Sequence, residues 1–303
     1  MKALIIGYGS IGQRHTRILH SLGFQPAVVS SQQAINHASF LSITDAVDSW
    51  KPEHIVIASP TSRHHKDLTA IAQTGFSGTC LIEKPLFQFS QPLPTNLRCR
   101  IAVGYNLRFL DVIQRLREVL AVETIISATV YNGEYLPEWR PGRDYRTTSS
   151  ARREMGGGVL RDLSHEIDLI HYFLGAPTSA IAVVSRSGLL DIDTEDSVRS
   201  VFRHNNGCVT TMTLSYLDRT RRREILFITA SKSIHCDLLT GLLTIDNEIE
   251  SLPINRDATF ERLHTDLLFN QPVVACSATE GAEVVRTIEM LEQSSDQKVW
   301  VSR

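Results

Sequence analysis

No apolar run in this 303-residue sequence reaches the length of a bilayer-spanning helix, so no membrane function of that kind is expected. An excess of one charge is also missing. With 31 Lys and Arg against 33 Asp and Glu, the formal net charge is -2. That balance gives no electrostatic reason to expect nucleic acid or an anionic membrane as partner. The five cysteines (Cys80, Cys99, Cys208, Cys236, Cys276) are scattered and odd in number, with no C-x-x-C pair. Neither a disulfide frame nor a zinc site is indicated, and reduced thiols in a cytoplasmic protein are expected. No signal peptide is expected either, because Met1-Lys2 leads directly into an apolar strand. Internal repeats and low-complexity tracts are absent. What remains is ordinary globular composition at a length sufficient for two domains.

The most informative segment is Lys2-Ala3-Leu4-Ile5-Ile6-Gly7-Tyr8-Gly9-Ser10-Ile11-Gly12. A short apolar strand runs straight into G-x-G-x-x-G, and an amphipathic helix follows over Ile11 to about Leu22. In that context Gly7 permits the tight turn, Gly9 lets the backbone approach a pyrophosphate, and Gly12 allows the helix to pack on the strand. The helix then aims its free N–H groups and positive dipole end at phosphate.

Short apolar strands and helices alternate over the first hundred residues. Strands are predicted at Ala3–Ile6, Pro26–Ser30, His54–Ala58, Thr79–Glu83 and Ile101–Tyr105, with helices at Ser42–Trp50 and His64–Thr74 between them. Such alternation implies a doubly wound parallel sheet. The pattern then changes. A helix (Phe109–Leu120), a longer strand (Val122–Asn132) and a polar, aromatic loop (Glu134 to Ser150) lead to Gly156-Gly157-Gly158. A helix running to about Leu174 is predicted after the glycines. Six β-rich segments follow between Ala180 and Ile245, with His204-Asn205-Asn206-Gly207 as a hairpin turn. Helices at Ala258–Phe269 and Glu280–Gln293 close the sequence. The fold class expected is α/β: an N-terminal Rossmann domain over 1–105, then an α+β domain with a large, mostly antiparallel sheet over 106–303.

At the end of the second strand a dinucleotide fold meets the adenine ribose, and an acid there holds the 2′-hydroxyl of NAD. Here the strand ends Val28-Val29-Ser30-Ser31-Gln32, without an acid. Ser30 and Ser31 offer hydroxyls to a 2′-phosphate, with Arg14 as the nearest candidate cation. NADP is therefore favoured slightly over NAD, and the alternative is that both serines are simply loop residues.

Two further segments carry chemistry. Glu83-Lys84-Pro85 ends a predicted sheet strand, at the edge where open α/β sheets bind ligands. A lysine there can hold an alcohol or carbonyl oxygen during hydride transfer, although a surface lysine is the plainer reading. In Arg161-Asp162-Leu163-Ser164-His165-Glu166-Ile167-Asp168, helical spacing places Asp162 and Asp168 within a turn of His165. A carboxylate beside a histidine fixes its tautomer and suits a general base, while a structural His–Asp pair is the competing reading. No second histidine of convincing spacing accompanies His165, so no metal site is expected.

Taken in order, these residues resemble the Gfo/Idh/MocA oxidoreductases. The resemblance rests on Gly7-x-Gly9-x-x-Gly12, Ala58-Ser59-Pro60-Thr61 with His64, Glu83-Lys84-Pro85, Val103-Gly104-Tyr105-Asn106, Gly156-Gly157-Gly158 and His165-x-x-Asp168. It implies a tightly held nicotinamide cofactor, sugar-like or polyol substrates, and a C-terminal sheet whose open face serves as a homodimer or homotetramer interface. It also implies that Lys84 and His165 are the catalytic lysine and histidine. Many members carry an aspartate four residues before the histidine. Arg161 stands there in this sequence and Asp162 one later, which puts the relay role of Asp162 in doubt. The cofactor residues expected are Gly7, Tyr8, Gly9, Ser10, Ile11, Gly12, Ser30, Ser31, Ser59, Pro60, Thr61, His64, Glu83 and Lys84.

The loop from Tyr135 to Arg146 resembles a subgroup linked to cell-surface sugar biosynthesis. Arginines suit phosphate and aromatics suit a sugar face. Trp139, Arg140, Arg143 and Tyr145, with Asn106, Arg108, Lys84, Asp162 and His165, are the substrate-binding residues expected. If the arginines bind, the substrate is anionic: a sugar phosphate, a nucleotide sugar or a sialic-like acid. A solvated loop or subunit contact remains the alternative. The expected activity is hydride transfer between nicotinamide and a secondary alcohol or ketone. His165 acts as acid/base and Lys84 stabilises the oxygen. Two alternatives stay open: a redox-neutral epimerase or lyase with retained cofactor, and a non-catalytic sensor of nucleotide or sugar.

Overall fold

The computed structural model describes residues 1–32, 36–269 and 274–303. In chain order the first elements are β1 (Lys2–Ile6), α1 (Ser10–Ser21), β2 (Gln25–Val29), β3 (Ala38–Phe40), α2 (Ile43–Trp50), β4 (His54–Ile57), α3 (His64–Gln73), β5 (Thr79–Ile82) and β6 (Arg100–Val103). Next come α4 (Asp111–Leu120), β7 (Ile125–Gly133), α5 (Val159–Asp162), α6 (His165–Leu174), β8 (Ser179–Ser185), β9 (Ser197–Arg203) and β10 (Val209–Ser215). The chain continues through β11 (Arg222–Thr229), β12 (Ser233–Asp237), β13 (Leu242–Ile245) and β14 (Glu248–Ser251). It closes with α7 (Arg256–Phe269), β15 (Cys276–Ser277), α8 (Ala278–Gln297) and β16 (Val301–Ser302).

The chain divides into two compact units, each discontinuous in sequence. The first is Met1–Phe109 with Arg256–Ala282, and the second is Leu110–Asn255 with Glu283–Arg303. The linear division at 105/106 does not include this return of the chain.

In the first unit the sheet order is β15-β6-β5-β4-β1-β2-β3. All pairs are parallel except the short antiparallel addition of β15 to β6. From β3 to β6 this is the doubly wound dinucleotide-fold order, with its switch point between β1 and β4. Every residue of β4 and the last four of β1 are buried, as strands covered on both faces must be. On α1 the buried positions His15, Thr16, Ile18 and Leu19 recur at helical spacing and face the sheet. Leu263 and Leu267, four apart on α7, join Leu19, Phe24 and Val28 in one core cluster. The returning helix is therefore part of this core rather than an appendage.

The second unit is built on a sheet of order β14-β13-β12-β11-β7-β10-β9-β8-β16, in which only β7 and β10 run parallel. Burial alternates along its strands. In β10, Thr210, Met212 and Leu214 are inside, while Val209 and Thr211 face out. The outer positions of neighbouring strands include exposed Ile126, Leu226 and Ile228. The hairpin expected at His204–Gly207 joins β9 to β10, with Gly207 at φ +84°. All five cysteines are buried and free. Among the described residues no helix is long and apolar enough to cross a membrane.

Candidate functional site

The carboxyl ends of β2, β1, β4 and β5 are neighbours in the first sheet. Most of the expected cofactor residues lie on the turns that leave them. The three glycines do different work. Gly7 has φ +93°, and a Cβ there would stand 2.7 Å from the Ala58 carbonyl oxygen, so it lets the β1 and β4 turns touch. A Cβ on Gly12 would meet the Gly7 carbonyl oxygen at 2.1 Å, so Gly12 seats α1 on the turn. A Cβ on Gly9 would meet nothing within 4 Å. Gly9 and Ser10 are exposed, Gly9 caps α1 without a side-chain hydrogen bond, and the first turn of α1 contains no acid. Open space in front of an uncapped helix N-terminus fits a pyrophosphate. Half-buried Tyr8 and Ile11 flank it.

At the end of β2, the Ser30 hydroxyl accepts a hydrogen bond from the Gln32 N–H at 3.0 Å, and Ser31 is exposed. Arg14, the cation suggested for a 2′-phosphate, faces α7 instead. Its guanidinium lies 3.5 Å from Asp257 and over the Phe260 ring. The slight preference for NADP loses that support.

Beyond β4, the buried Ser59 hydroxyl donates to Asp67 at 2.6 Å, while Pro60 is exposed and Thr61 half-buried. His64 is buried with its ring between carbonyls. Its Nε2 is 3.0 Å from Ser59 O, and its Nδ1 is 3.0 Å from Pro85 O and 3.2 Å from Leu86 O. It thus fastens the β4 turn to the Lys84 turn. Burial pushes its pKa down, against the upward pull of these carbonyls and of Glu83. The Lys84–Pro85 peptide is cis, and Lys84 is half-buried. Glu83 is buried and accepts the Lys84 N–H at 3.2 Å. A Cβ at Gly104 would come within 3.0 Å of the Glu83 carboxylate, which explains glycine there. Burial raises the Glu83 pKa, but the hydrogen bond and charge of His15 and the charge and N–H of Lys84 outweigh it and hold it below the usual range.

Two residues expected at the substrate have structural work in the first unit. Arg108 is 2% exposed, pairs with Glu280 at 2.9 Å and donates to Val274 O at 3.4 Å. The buried Asn106 amide donates to Thr259 at 2.6 Å. Position in sequence gave no warning of this, because their partners come from the returning segment.

In the second unit, Trp139, Arg140, Arg143 and Tyr145 line one small hollow with Leu136 and Thr148. Arg146 is held by Asp144 at 2.8 Å, and Arg221 by Glu134 at 3.2 Å. Exposed Arg140 and Arg143 have no carboxylate partner among the described residues. Trp139 meets Tyr216 edge-on at 5.1 Å between centroids, and the Tyr216 hydroxyl donates to Asp162 at 2.7 Å. Burial first, then the Asp162 charge, keeps the Tyr216 phenol protonated by raising its pKa well above the ordinary value. Nothing in the sequence pointed to Tyr216, which lies 54 residues from Asp162.

The single helix expected after the glycines is two helices. The chain breaks at Leu163–Ser164, bridged by i→i+3 bonds from Ser164 N to Arg161 O (3.4 Å) and Glu166 N to Leu163 O (3.3 Å). Asp162 therefore ends α5 while half-buried His165 begins α6, so the two do not share one continuous helix. Asp168 remains on the helix of His165, fully buried. Arg161 is buried and forms two bonds to Glu292, at 2.6 and 3.3 Å. The glycines serve packing. A Cβ on Gly157 would strike Ser149 O at 1.9 Å, and one on Gly158 the Glu195 carboxylate at 2.2 Å. Glu195 caps α5 by accepting the Leu160 N–H. No group of metal-binding side chains occurs among the described residues.

Residues 113–234 match the family model described as GFO/IDH/MocA C-terminal domain. That match lies wholly within the second unit and covers less than half of the chain. A search of curated proteins by sequence gave no match. Solved structures match the chain over its length. A levoglucosan dehydrogenase in complex with NADH is 17% identical, with a TM-score of 0.85, covering 100% of this chain and 98% of that one. The WlbA dehydrogenase from Bordetella pertussis, in complex with NADH and UDP-GlcNAcA, is 16% identical at a TM-score of 0.81, covering 100% and 98%. UDP-N-acetylglucosamine 3-dehydrogenase GnnA from Acidithiobacillus ferrooxidans is 20% identical at 0.80, covering 98% of each. At these identities the likeness establishes the fold.

Proposed function

We propose that this protein is a nicotinamide-dependent oxidoreductase acting on a secondary alcohol or ketone of an anionic sugar derivative. The observation that carries the reading is the open space at Gly9, before an uncapped helix and between two glycines that admit no side chain. A bound nicotinamide supplies the hydride acceptor or donor. In the oxidation direction His165 takes the proton of the substrate hydroxyl, and Lys84 holds the oxygen as it becomes a carbonyl. In reduction His165 returns the proton. Tyr216 orients Asp162 and the Trp139 ring, and Arg140 and Arg143 hold the anionic group. The solved relatives crystallised with NADH, one of them with a nucleotide sugar acid, support both halves of the reading.

Of the two dinucleotides we assign NAD, since Arg14 is engaged by Asp257 and the segment 30–41 contains no lysine or arginine. The exposed aliphatic positions on the outer face of the second sheet support association of two or four copies. The test is turnover with purified protein, NAD and a panel of nucleotide sugar acids and sugar phosphates, followed as reduced nicotinamide. Lys84→Ala and His165→Ala are each expected to abolish turnover without unfolding the protein or releasing the cofactor. A fully active double variant would sink the assignment.

A further inference from the structure

Five side chains of the first unit form one unbroken hydrogen-bonded line. Glu83 Oε1 lies 2.8 Å from His15 Nε2, and His15 Nδ1 lies 2.9 Å from His264 Nε2. His264 Nδ1 is 3.1 Å from His54 Nε2, and His54 Nδ1 is 2.8 Å from Thr79 Oγ1. The three imidazoles are 0% exposed and cross at near-right angles, 85° and 89°. They come from α1, α7 and β4, and the line ends on the two ends of β5. It runs from Glu83, beside Lys84, to half-buried Thr79, a separation of about 13 Å along an extended strand.

The end groups dictate the tautomers. An ionised Glu83 only accepts, so His15 must donate from Nε2. Its Nδ1 is then an acceptor, which requires Nε2–H on His264. The same step requires Nε2–H on His54, whose Nδ1 accepts from the Thr79 hydroxyl. Every bond is satisfied with three neutral rings. One added proton reverses every bond: each Nδ1 now carries hydrogen and donates toward Thr79, and the extra proton is held between Glu83 and His15. A second cationic ring would set two N–H groups against each other, so the line holds one charged imidazole.

We infer that Glu83–His15–His264–His54–Thr79 is a one-proton relay that equilibrates the carboxylate beside Lys84 with solvent at the opposite edge of the sheet. In the uptake step, solvent hydronium protonates Thr79 Oγ1 and becomes water as that oxygen passes its own proton to His54 Nδ1. His54 Nε2 passes one to His264 Nδ1, His264 Nε2 one to His15 Nδ1, and His15 Nε2 one to Glu83. Each bond broken is matched by one formed, and the reverse step returns the proton to water. The other titratable groups whose charge acts on Glu83 are Lys84 on its own strand and His64 at the head of α3. Burial, then the charge of His15, holds His54 down to about 3, and His264 is lowered for the same reasons and by His54. These directions agree with a line that accepts one charge and resists a second. Its consequence at Lys84 rests on the proposed oxidoreductase reading. The relay itself does not.

The experiment is 15N NMR of the histidine rings in the full-length protein across a pH titration. All three rings are expected as Nε2–H tautomers at high pH, converting together to Nδ1–H at one shared midpoint as the line takes up its proton. Thr79→Val should lose the shared transition and Thr79→Ser should restore it, with amide dispersion checking the fold of each. Separate midpoints, or Nδ1–H on His54 at high pH, would overturn the relay. Where turnover is observed, Thr79→Val should displace the pH profile of kcat and leave KM unchanged. An absence of turnover would refute the enzyme reading and leave the NMR result to decide the relay.

Discussion

Replacing Gly9 and Gly12 one at a time by alanine separates ligand space from packing space. Gly9 has φ -71°, which alanine adopts without strain, and its new methyl meets nothing within 4 Å. Alanine is a poorer helix cap than glycine, while the unfolded chain loses freedom. These effects oppose each other, and the net change in stability should lie within about 1 kcal/mol. In Gly12→Ala the methyl falls 2.1 Å from the Gly7 carbonyl oxygen, and because both groups are backbone, α1 must move away. Overpacking of that kind costs about 1–3 kcal/mol or more. Binding should show the opposite contrast in specificity. The Gly9 methyl occupies the approach of the pyrophosphate, so Gly9→Ala should weaken NADH at least about tenfold, or about 1.4 kcal/mol. The assays are thermal denaturation and titration of NADH fluorescence. Gly9→Ala with native stability and native NADH affinity would refute the assignment of that space to a dinucleotide.

Three further outcomes follow from the structure. His54, His64 and His264 all have folded-state pKa values below the unfolded one, so their contribution to stability is complete above about pH 6.5 and is lost as pH falls toward the folded values. His54 alone should remove about 1.4 kcal/mol per pH unit between about pH 6 and 4, and urea unfolding at pH 7 and pH 5 would show it; equal stability at both would contradict the buried neutral rings. Arg140→Gln with Arg143→Gln should raise KM for an anionic sugar substrate at least about tenfold without altering NADH binding, and the loss should shrink at high salt. Arg161→Met leaves Glu292 without its buried partner and should destabilise by about 2 kcal/mol, less than a fully buried pair because Glu292 is partly exposed; adding Glu292→Met should recover part of it in thermal denaturation.

Local patterns in the sequence were enough to place β1, β2, β4, β5 and β6 of the first sheet. The Gly7–Gly12 motif, the apolar runs Ala3–Ile6 and Ile55–Ile57, and the strand–helix alternation depend on neighbours in the chain, and the structure follows them. The elements that were missed lacked such a signal. β14 has all four residues exposed, so no apolar alternation marks it, although Asp246 at φ +54° in the turn before it supplies a hairpin signature. β3 has three residues with none buried. The return of α7 to the first unit is a long-range event: His15 meets His264 across 249 residues. The same distance hid the fates of Asn106 and Arg108, whose partners Thr259 and Glu280 come from that return. The break between Asp162 and His165 has no glycine or proline to announce it, so a spacing argument valid inside one helix was carried across two. By contrast, the grouping of Trp139, Arg140, Arg143 and Tyr145 at one hollow was legible because all four sit on one short loop.

The most direct measurement is turnover of the wild-type protein with NAD and a nucleotide sugar acid, read at the absorbance band of reduced nicotinamide. The account predicts reduced nicotinamide accumulating in proportion to oxidised sugar, dependent on Lys84 and His165. Saturable binding of NADH and of the sugar acid with no reduced nicotinamide formed would contradict it.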